Sequence, residues 1–484
     1  MNRKRLILLL SCLALIAIAA LASVRPVRRG YWPRRTVAQR TLESAKVTET
    51  VSRSMVGRLT RSERTYNMDN GDLVVFGRMQ AGDRQSMYHL VRTDVLDSRT
   101  GTVWYMDNDT KDWKTVPLEE MKIGTTCVYI DGDQQDYFCY TPYGYLPLEN
   151  NCLQENGSKG YLTIVRSGSK WKLMLFGAAL QPTEVCDYTV LTASDEEPLL
   201  DTERPNLMKL WSTYANNGDG RWCYDGYYFP TPDNYIPTGP FCRYRCVASY
   251  LVSSMVAQEK GVRFGRDIAE AMLDTVSLQQ NAQGYFPTLS ESAWLREDYG
   301  IPGGFYDTRF NSDLMQAFYR HVSLRGGFSQ TLDRYFEFYL DYAAKSHYET
   351  ENGGWLVWDY NNSTSPVHVS LNHHVSEMLI LYQFGNLLDR QDLTQLADRM
   401  LLGIEDTEDS WIKEDGNFWY ARYPDGSFGG NDYPYLTYND LYDLQKGLIS
   451  FGYPRNKTID RLMESKLRWM QENGITGYHT DPLE

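Results

Sequence analysis

Gly353-Gly354-Trp355-Leu356-Val357-Trp358-Asp359-Tyr360 separates two amphipathic stretches, 330–346 and 368–388, and its form recurs through the second half of the chain. Gly220-Arg221-Trp222, Gly284-Tyr285-Phe286-Pro287, Gly416-Asn417-Phe418-Trp419-Tyr420 and Gly477-Tyr478 repeat the pattern of a glycine turn followed by an aromatic side chain. They stand roughly 60 to 70 residues apart, room for two helices and their turns. Apolar residues between them recur with helical spacing over 245–260, 266–280, 311–324, 330–346, 368–388, 393–402, 438–450 and 457–473. Helical hairpins that each return an aromatic loop to one end predict an (α/α) toroid over 201–484. Its mouth would be lined by polar and aromatic loops, and ligand would bind there.

N-terminal to this field the texture changes. Short alternating runs at 73–78, 88–93, 102–106, 126–130, 161–165, 172–176 and 188–191, punctuated by Gly, Asp and Asn, predict hairpin-connected strands. They make 67–200 an antiparallel β domain, with the acidic stretch 194–201 as the linker out. Residues 25–66 are polar, with basic patches and no strong period, and are expected to form a tether. In the first 24 residues Arg3, Lys4 and Arg5 precede an apolar run from Leu6 to Val24. That run, about 19 residues, suffices to span a bilayer, and the basic flank keeps the N-terminus inside. Ala20-Leu21-Ala22 would also serve as a cleavage site, so both an uncleaved signal-anchor and a cleaved signal peptide remain open. The expected architecture is thus multidomain α and β: membrane anchor, antiparallel β domain and (α/α) toroid. The body would be extracytoplasmic, held at a membrane or secreted.

The net charge of −13 argues against nucleic acid, which needs a basic face. Tyrosine and tryptophan, 36 and 12 of them, supply flat apolar faces with a polar edge, suited to stacking on sugar rings. Of eight cysteines, Cys12 falls in the leader, leaving an odd number for the exported part. His373 and Glu377 are spaced to share a helix face, but no third ligand accompanies them, so no metal site is expected.

Four constellations near the expected mouth combine phenols, carboxylates and arginine. They are the 355–362 loop; Trp419-Tyr420-Ala421-Arg422-Tyr423; Asn431-Asp432-Tyr433 through Leu441; and Gly303-Gly304-Phe305-Tyr306-Asp307-Thr308-Arg309. Removing a proton α to a carboxylate, as at C5 of a uronic acid, requires that the carboxylate be neutralised by arginine or an acid donor. It also requires a base on one face. A phenol, with an ordinary pKa of about 10, becomes that base only when cations depress it, and Tyr420 and Tyr423 beside Arg422 fit the requirement. A second donor on the opposite face gives epimerisation; protonation and departure of the 4-oxygen gives elimination.

Ser370-Leu371-Asn372 through Leu379-Ile380-Leu381-Tyr382 resembles the Leu-Asn-Gly…Leu-x-x-Leu-Tyr segment of glucuronyl C5-epimerases. Asp432-Tyr433-Pro434-Tyr435-Leu436-Thr437-Tyr438-Asn439-Asp440-Leu441 is similar to that family's Asp-Tyr-His-x-x-His-Ile-Asn-x-Leu segment. Both histidines of the second segment are replaced here, by Pro434 and Thr437. The order of the segments and the sequence of anchor, β domain and helical domain agree with the family. The resemblance implies a glucuronic acid polymer as substrate, Tyr433 as a catalytic tyrosine and Asp359-Tyr360 in place of a catalytic Glu-Tyr pair. It also implies a substrate-binding role for Arg422. Tyr420, Asn372, His373, Trp355, Tyr306, Arg309 and Tyr438 complete the expected substrate contacts. Epimerisation moves protons and no electrons, so no cofactor is expected. Expected partners are an acidic polysaccharide and the membrane through the leader, with a homodimer as an open assembly. A lyase or hydrolase on the same toroid, with Asp359 and Asp432 or Asp440 as carboxylates, is the first rival. A non-catalytic surface glycan-binding protein is the second.

Overall fold

The computed structural model describes residues 35–53, 59–87, 89–107, 110, 112–120, 125, 127–140, 143–194, 197–203, 220–259 and 261–483. The leader, 1–24, lies outside the described residues; among those described, no helix is long and apolar enough to cross a membrane.

A large antiparallel sheet forms the middle layer. Its order is Arg35–Thr41, Ala45–Arg53, Thr60–Met68, Leu73–Gln80, Val185–Ser194, Tyr143–Pro147, Cys152–Lys159, Cys242–Arg245, Gly226–Pro230 and Arg221–Cys223. Gln135–Tyr140, Cys127–Gly132, Gly101–Met106 and Trp113–Pro117 branch from Val185–Ser194. The side-chain period of two sends successive residues to opposite faces. Val74 and Phe76 enter a core shared with the helices, while Val75 and Met79 enter a second core against the three-stranded sheet Tyr161–Ser167, Lys170–Gly177 and His89–Leu96.

Two expectations are corrected here. Residues 35–53 and 60–66, assigned above to a tether, belong to three strands of the main sheet, the third running on to Met68. Their charges hid the pattern, because Glu63 is met by Arg92 at 3.1 Å and Arg64 by Glu49 at 3.0 Å, so ion pairs accompany the burial. The β domain also does not end at residue 200, since 221–223, 226–230 and 242–245 extend the same sheet.

Nine helices follow among the described residues: α1 (Tyr250–Val256), α2 (Arg263–Ser277), α3 (Ala293–Tyr299), α4 (Thr308–Arg325), α5 (Ser329–Lys345), α6 (Leu371–Leu387), α7 (Gln391–Trp411), α8 (Leu436–Ser450) and α9 (Lys457–Glu472). All but the short α3 were expected from periodicity. Helix α4 packs between α1 and α6, and α6 between α4 and α8, which gives an inner row; α2, α5, α7 and α9 pack behind as an outer row. Helix α6 is buried on nearly every side from Leu371 to Phe384, as its central place in the inner row demands. The glycine–aromatic loops at 284, 353 and 416 each connect an outer helix to the next inner one, so the N-termini of α4, α6 and α8 share one end. Gly354 shows why glycine is needed there: a Cβ would meet the Gly403 backbone nitrogen of α7 at 2.3 Å. Gly220-Arg221-Trp222 does not join this series; it is an edge strand of the sheet.

Candidate functional site

The shared end is organised by first-turn residues of the inner helices. Asp307 is the N-cap of α4, accepting from the Phe310 amide at 2.9 Å, and burial pushes its carboxyl up to about 7. It forms a backbone bridge with Tyr360. Thr308, next along, donates its amide to the Asp359 carbonyl at 3.0 Å and pairs its hydroxyl with His373 Nδ1 at 2.8 Å. These bonds bind the 359–360 turn to both α4 and α6.

Asp359 lies behind this surface rather than on it. It is almost completely buried and accepts from the Ser370 amide at 3.0 Å and from the Ser370 hydroxyl. His368 Nε2 and His373 Nδ1 approach its Oδ2 at 3.4 and 3.6 Å. Burial raises the Asp359 carboxyl well above the usual range, against the pull of Ser370, and it lowers His368 to about 4. His373 is likewise held neutral. Burial thus works against charge on the acid and on both imidazoles beside it. Asp359 therefore anchors the turn and does not face a ligand, contrary to the catalytic role expected for it.

Two phenols, Tyr420 and Tyr433, line the front; the third, Tyr360, is sealed behind them among Leu295, Ile301, Phe305 and Val367, contrary to the ligand-facing place expected for it. Tyr420 lies 6.0 Å from Tyr433 and 5.9 Å from His368, ring to ring, and Tyr360 lies 5.7 Å from His368 and 5.8 Å from His373. Tyr433 is 45% exposed, Tyr420 half-buried, and Tyr360 only 4% exposed. The expectation that arginine depresses these phenols is corrected. Burial raises Tyr420 and Tyr360 well above the ordinary value, and neighbouring carboxyls add to the effect. Arg422 is elsewhere, its guanidinium 3.8 Å from the Tyr348 ring and donating to the Tyr423 carbonyl at 3.0 Å. The guanidinium at the mouth is that of Arg309, which donates to Asp440 at 2.6 Å, Asp313 at 3.0 Å and the Asn372 carbonyl at 3.4 Å. Burial raises Tyr433 and Arg309 pulls it back.

The remaining expected contacts separate. Tyr306 is sealed in the core, donating to Glu377 at 2.9 Å, and is no sugar contact; Glu377 also receives Tyr335, so it does not join His373 in a site. Trp355 stacks on His347 at 3.9 Å with Arg399 at 4.4 Å over its ring, away from the phenols. Tyr438 is buried beside Tyr478, lining a cavity of about 390 Å³ between α8, α9 and the C-terminal segment. Asn372 is buried in the first turn of α6. Asp432 is spent on the buried Lys466 at 2.6 Å, which also holds the Tyr433 carbonyl at 2.8 Å. Sequence reasoning missed His368, Tyr299 and Trp294. Tyr299 bonds His368 at 2.8 Å and Trp294 stacks on it at 5.9 Å. Asp307 stands in the 303–309 constellation with no role of its own in the sequence reading; its place before Thr308 and Arg309 is a helix-start signal.

No protein-family model and no curated protein matches the chain. Several solved structures are similar in part. A family 76 glycoside hydrolase from a bovine Bacteroides thetaiotaomicron strain is 12% identical, with 84% of this chain and 76% of that chain covered and a TM-score of 0.39. A cellobiose 2-epimerase from Spirochaeta thermophila is 12% identical over 48% of this chain and 61% of that chain, TM-score 0.34. A D-mannose isomerase is 11% identical over 47% of this chain and 59% of that chain, TM-score 0.34. The chain thus spans less than two thirds of the epimerase and of the isomerase. The resemblance to glucuronyl C5-epimerases rests on the two short segments quoted above.

Proposed function

We propose that the mouth is the active site of a carbohydrate-modifying enzyme that epimerises glucuronic acid at C5 within an extracytoplasmic polysaccharide. The observation that carries this is the ring contact of half-exposed Tyr433 with Tyr420 at 6.0 Å, at the end where Asp307, buried and raised to about 7, bridges by its backbone to Tyr360 and Arg309 opens α4. A base for C5 works best when its pKa lies near the working pH, which suits Asp307. Return of a proton from the opposite face needs a neutral donor, and burial keeps Tyr433 and Tyr420 protonated. Charge moving onto the uronate carboxylate needs a cation. Arg309 supplies it by exchanging Asp313 or Asp440 for the substrate, and the N-terminal dipoles of α4, α6 and α8 act in the same sense. The roles first expected of Arg422 and Asp359 pass to Arg309 and Asp307.

Incubation with a glucuronic acid polymer in heavy water is expected to place deuterium at C5 without shortening the chain. A hydrolase is the second reading, because Asp440, on Arg309, is also raised to about 7 and offers a second protonatable carboxyl. An inverting pair would need separations of roughly 6.5–9.5 Å across the bond. New reducing ends with no deuterium at C5 would select the hydrolase and reject the epimerase.

A further inference from the structure

A separate cavity of about 590 Å³ opens where the main sheet meets the loop from Pro230 to Cys242. Its wall carries Arg221 and Arg243, both more than nine-tenths buried, and they converge on one atom, Oε1 of Glu155, at 3.2 and 2.7 Å. The register fixes them: Arg243 lies opposite Leu153 and Pro230, and Arg221 opposite Tyr228, so four consecutive strands hold the charges in place. At the rim stands Phe241, 70% exposed and at φ 62°, a left-handed conformation that a bulky side chain adopts only under constraint. Its carbonyl accepts the Glu155 amide at 3.1 Å, which ties the ring's position to the arginine pair. Gly157 and Gly239 leave open space beside the cavity, since a Cβ on either would meet nothing within 4 Å.

A fixed guanidinium pair beneath an exposed aromatic face has the chemistry to hold an acidic sugar: planar forks for an oxyanion and a ring for the pyranose. The same loop carries Tyr235, which pairs with Ser292 at the start of α3, and Tyr299 at the end of α3 bonds His368 at 2.8 Å, so a short run of structure connects the cavity to the mouth. We propose that the Arg221–Arg243 pocket is a second binding subsite, for the oxyanion of an acidic sugar unit several residues along the polymer from the one at the mouth. The subsite rests on the reading of the mouth as a polysaccharide site, and it narrows the substrate to a polymer with repeated anionic units. Arg221 and Arg243 hold the oxyanion by displacing part of their interaction with Glu155, and Phe241 stacks on the ring.

Titration calorimetry of the full chain tests this with a glucuronic acid hexamer, its carboxyl-reduced neutral counterpart and an O-sulfated form of that neutral hexamer. An anionic hexamer should bind at least tenfold tighter than the neutral one, and whichever anion binds tighter names the source of the oxyanion. Arg243→Gln should weaken that binding about 20-fold. Phe241→Ala, at an exposed position, should weaken it about fivefold and keeps the test decisive if the buried arginine variant does not fold. The pocket is overturned if both anionic hexamers bind no better than the neutral one, or if Phe241→Ala and every folded Arg243→Gln sample bind like the parent. Failure of the mouth is read separately: no deuterium at C5 with pocket-dependent binding intact rejects the epimerase and leaves the subsite standing.

Discussion

Two buried clusters at opposite ends of α4 set imidazoles against carboxyls and are driven in different directions. At the mouth, His368 and His373 face one carboxyl, Asp359, and burial works against charge on all three. At the far end, His321 lies between Glu259 at 2.6 Å and Glu270 at 3.0 Å, with Arg325 on Glu259 at 3.1 Å. Burial pulls His321 down there too, but the two glutamates outweigh it and raise the imidazole to about 9. The difference is the count of carboxylates per imidazole. One acid facing two histidines is pushed by burial toward the neutral form, as they are; two acids on one histidine hold a proton between them. The far end is thereby built to hold α2 and α4 together, and the mouth to keep neutral donors ready.

The largest effect is expected from Asp307→Asn. If Asp307 is the base, turnover should fall by about 10²–10⁴-fold, because an amide takes no proton. In the parent, activity should rise as pH increases through about 7, where the Asp307 carboxylate forms. Stability has the opposite sign: the folded carboxyl, raised from 3.8 to about 7, binds more protons than the unfolded one, so its contribution declines as pH rises across that window. Deuterium exchange and thermal melts from pH 5 to 9 measure both, and a pH-independent rate would remove Asp307 from the mechanism.

Next is His321→Gln, which leaves Glu259 and Glu270 buried without their shared cation. A loss of roughly 3–5 kcal/mol is expected in denaturant unfolding at pH 7. The parent's contribution from His321 is complete below the unfolded value of 6.5 and disappears as pH rises through about 9, so the cost of the substitution should shrink over that interval. A cost that stays constant across it would mean that the imidazole is not charged.

Asp359→Asn is predicted to be mild. A protonated buried acid and an amide have similar shape, and the amide oxygen still accepts from Ser370, so a change of about 1 kcal/mol is expected, flat between pH 5 and 8. A loss as large as that of His321→Gln would show that Asp359 is ionised and erase the contrast between the two ends.

How far these ends were legible in the sequence follows from the range of the interactions. The long helices were readable because their apolar period is local, and the glycine–aromatic loops because a positive φ and a close backbone approach leave their mark on single residues, as at Gly353 and Gly354. The seven-residue α3 gives too few turns to show a period. Strand Thr60–Met68 failed because Arg61, Glu63 and Arg64 meet partners supplied by other strands, the Val91 carbonyl, Arg92 and Glu49. The mouth was half legible for the same reason. Tyr420 and Tyr433 came from local motifs, but which arginine joins them depends on how strand Trp419–Arg422 docks against Val369 and Ser370.

Arg422 is therefore where the smallest effect is expected. Its guanidinium lies over Tyr348 and its hydrogen bond goes to a backbone carbonyl, so Arg422→Gln removes a half-exposed cation–π contact of about 0.5–1 kcal/mol. Turnover at the mouth should change less than about threefold, because Arg422 is held on Tyr348 and the Tyr423 carbonyl while Arg309 is the cation that lowers Tyr433. Arg309→Gln is the matched control. It leaves Asp313 and Asp440 facing each other without their cation, and it should raise KM and lower turnover together if the guanidinium holds the substrate carboxylate as charge develops. A large loss from Arg422→Gln with Arg309→Gln silent would reverse the assignment. It would require the strand carrying Arg422 to turn toward the phenols when substrate binds, against the stacking on Tyr348 that holds it away.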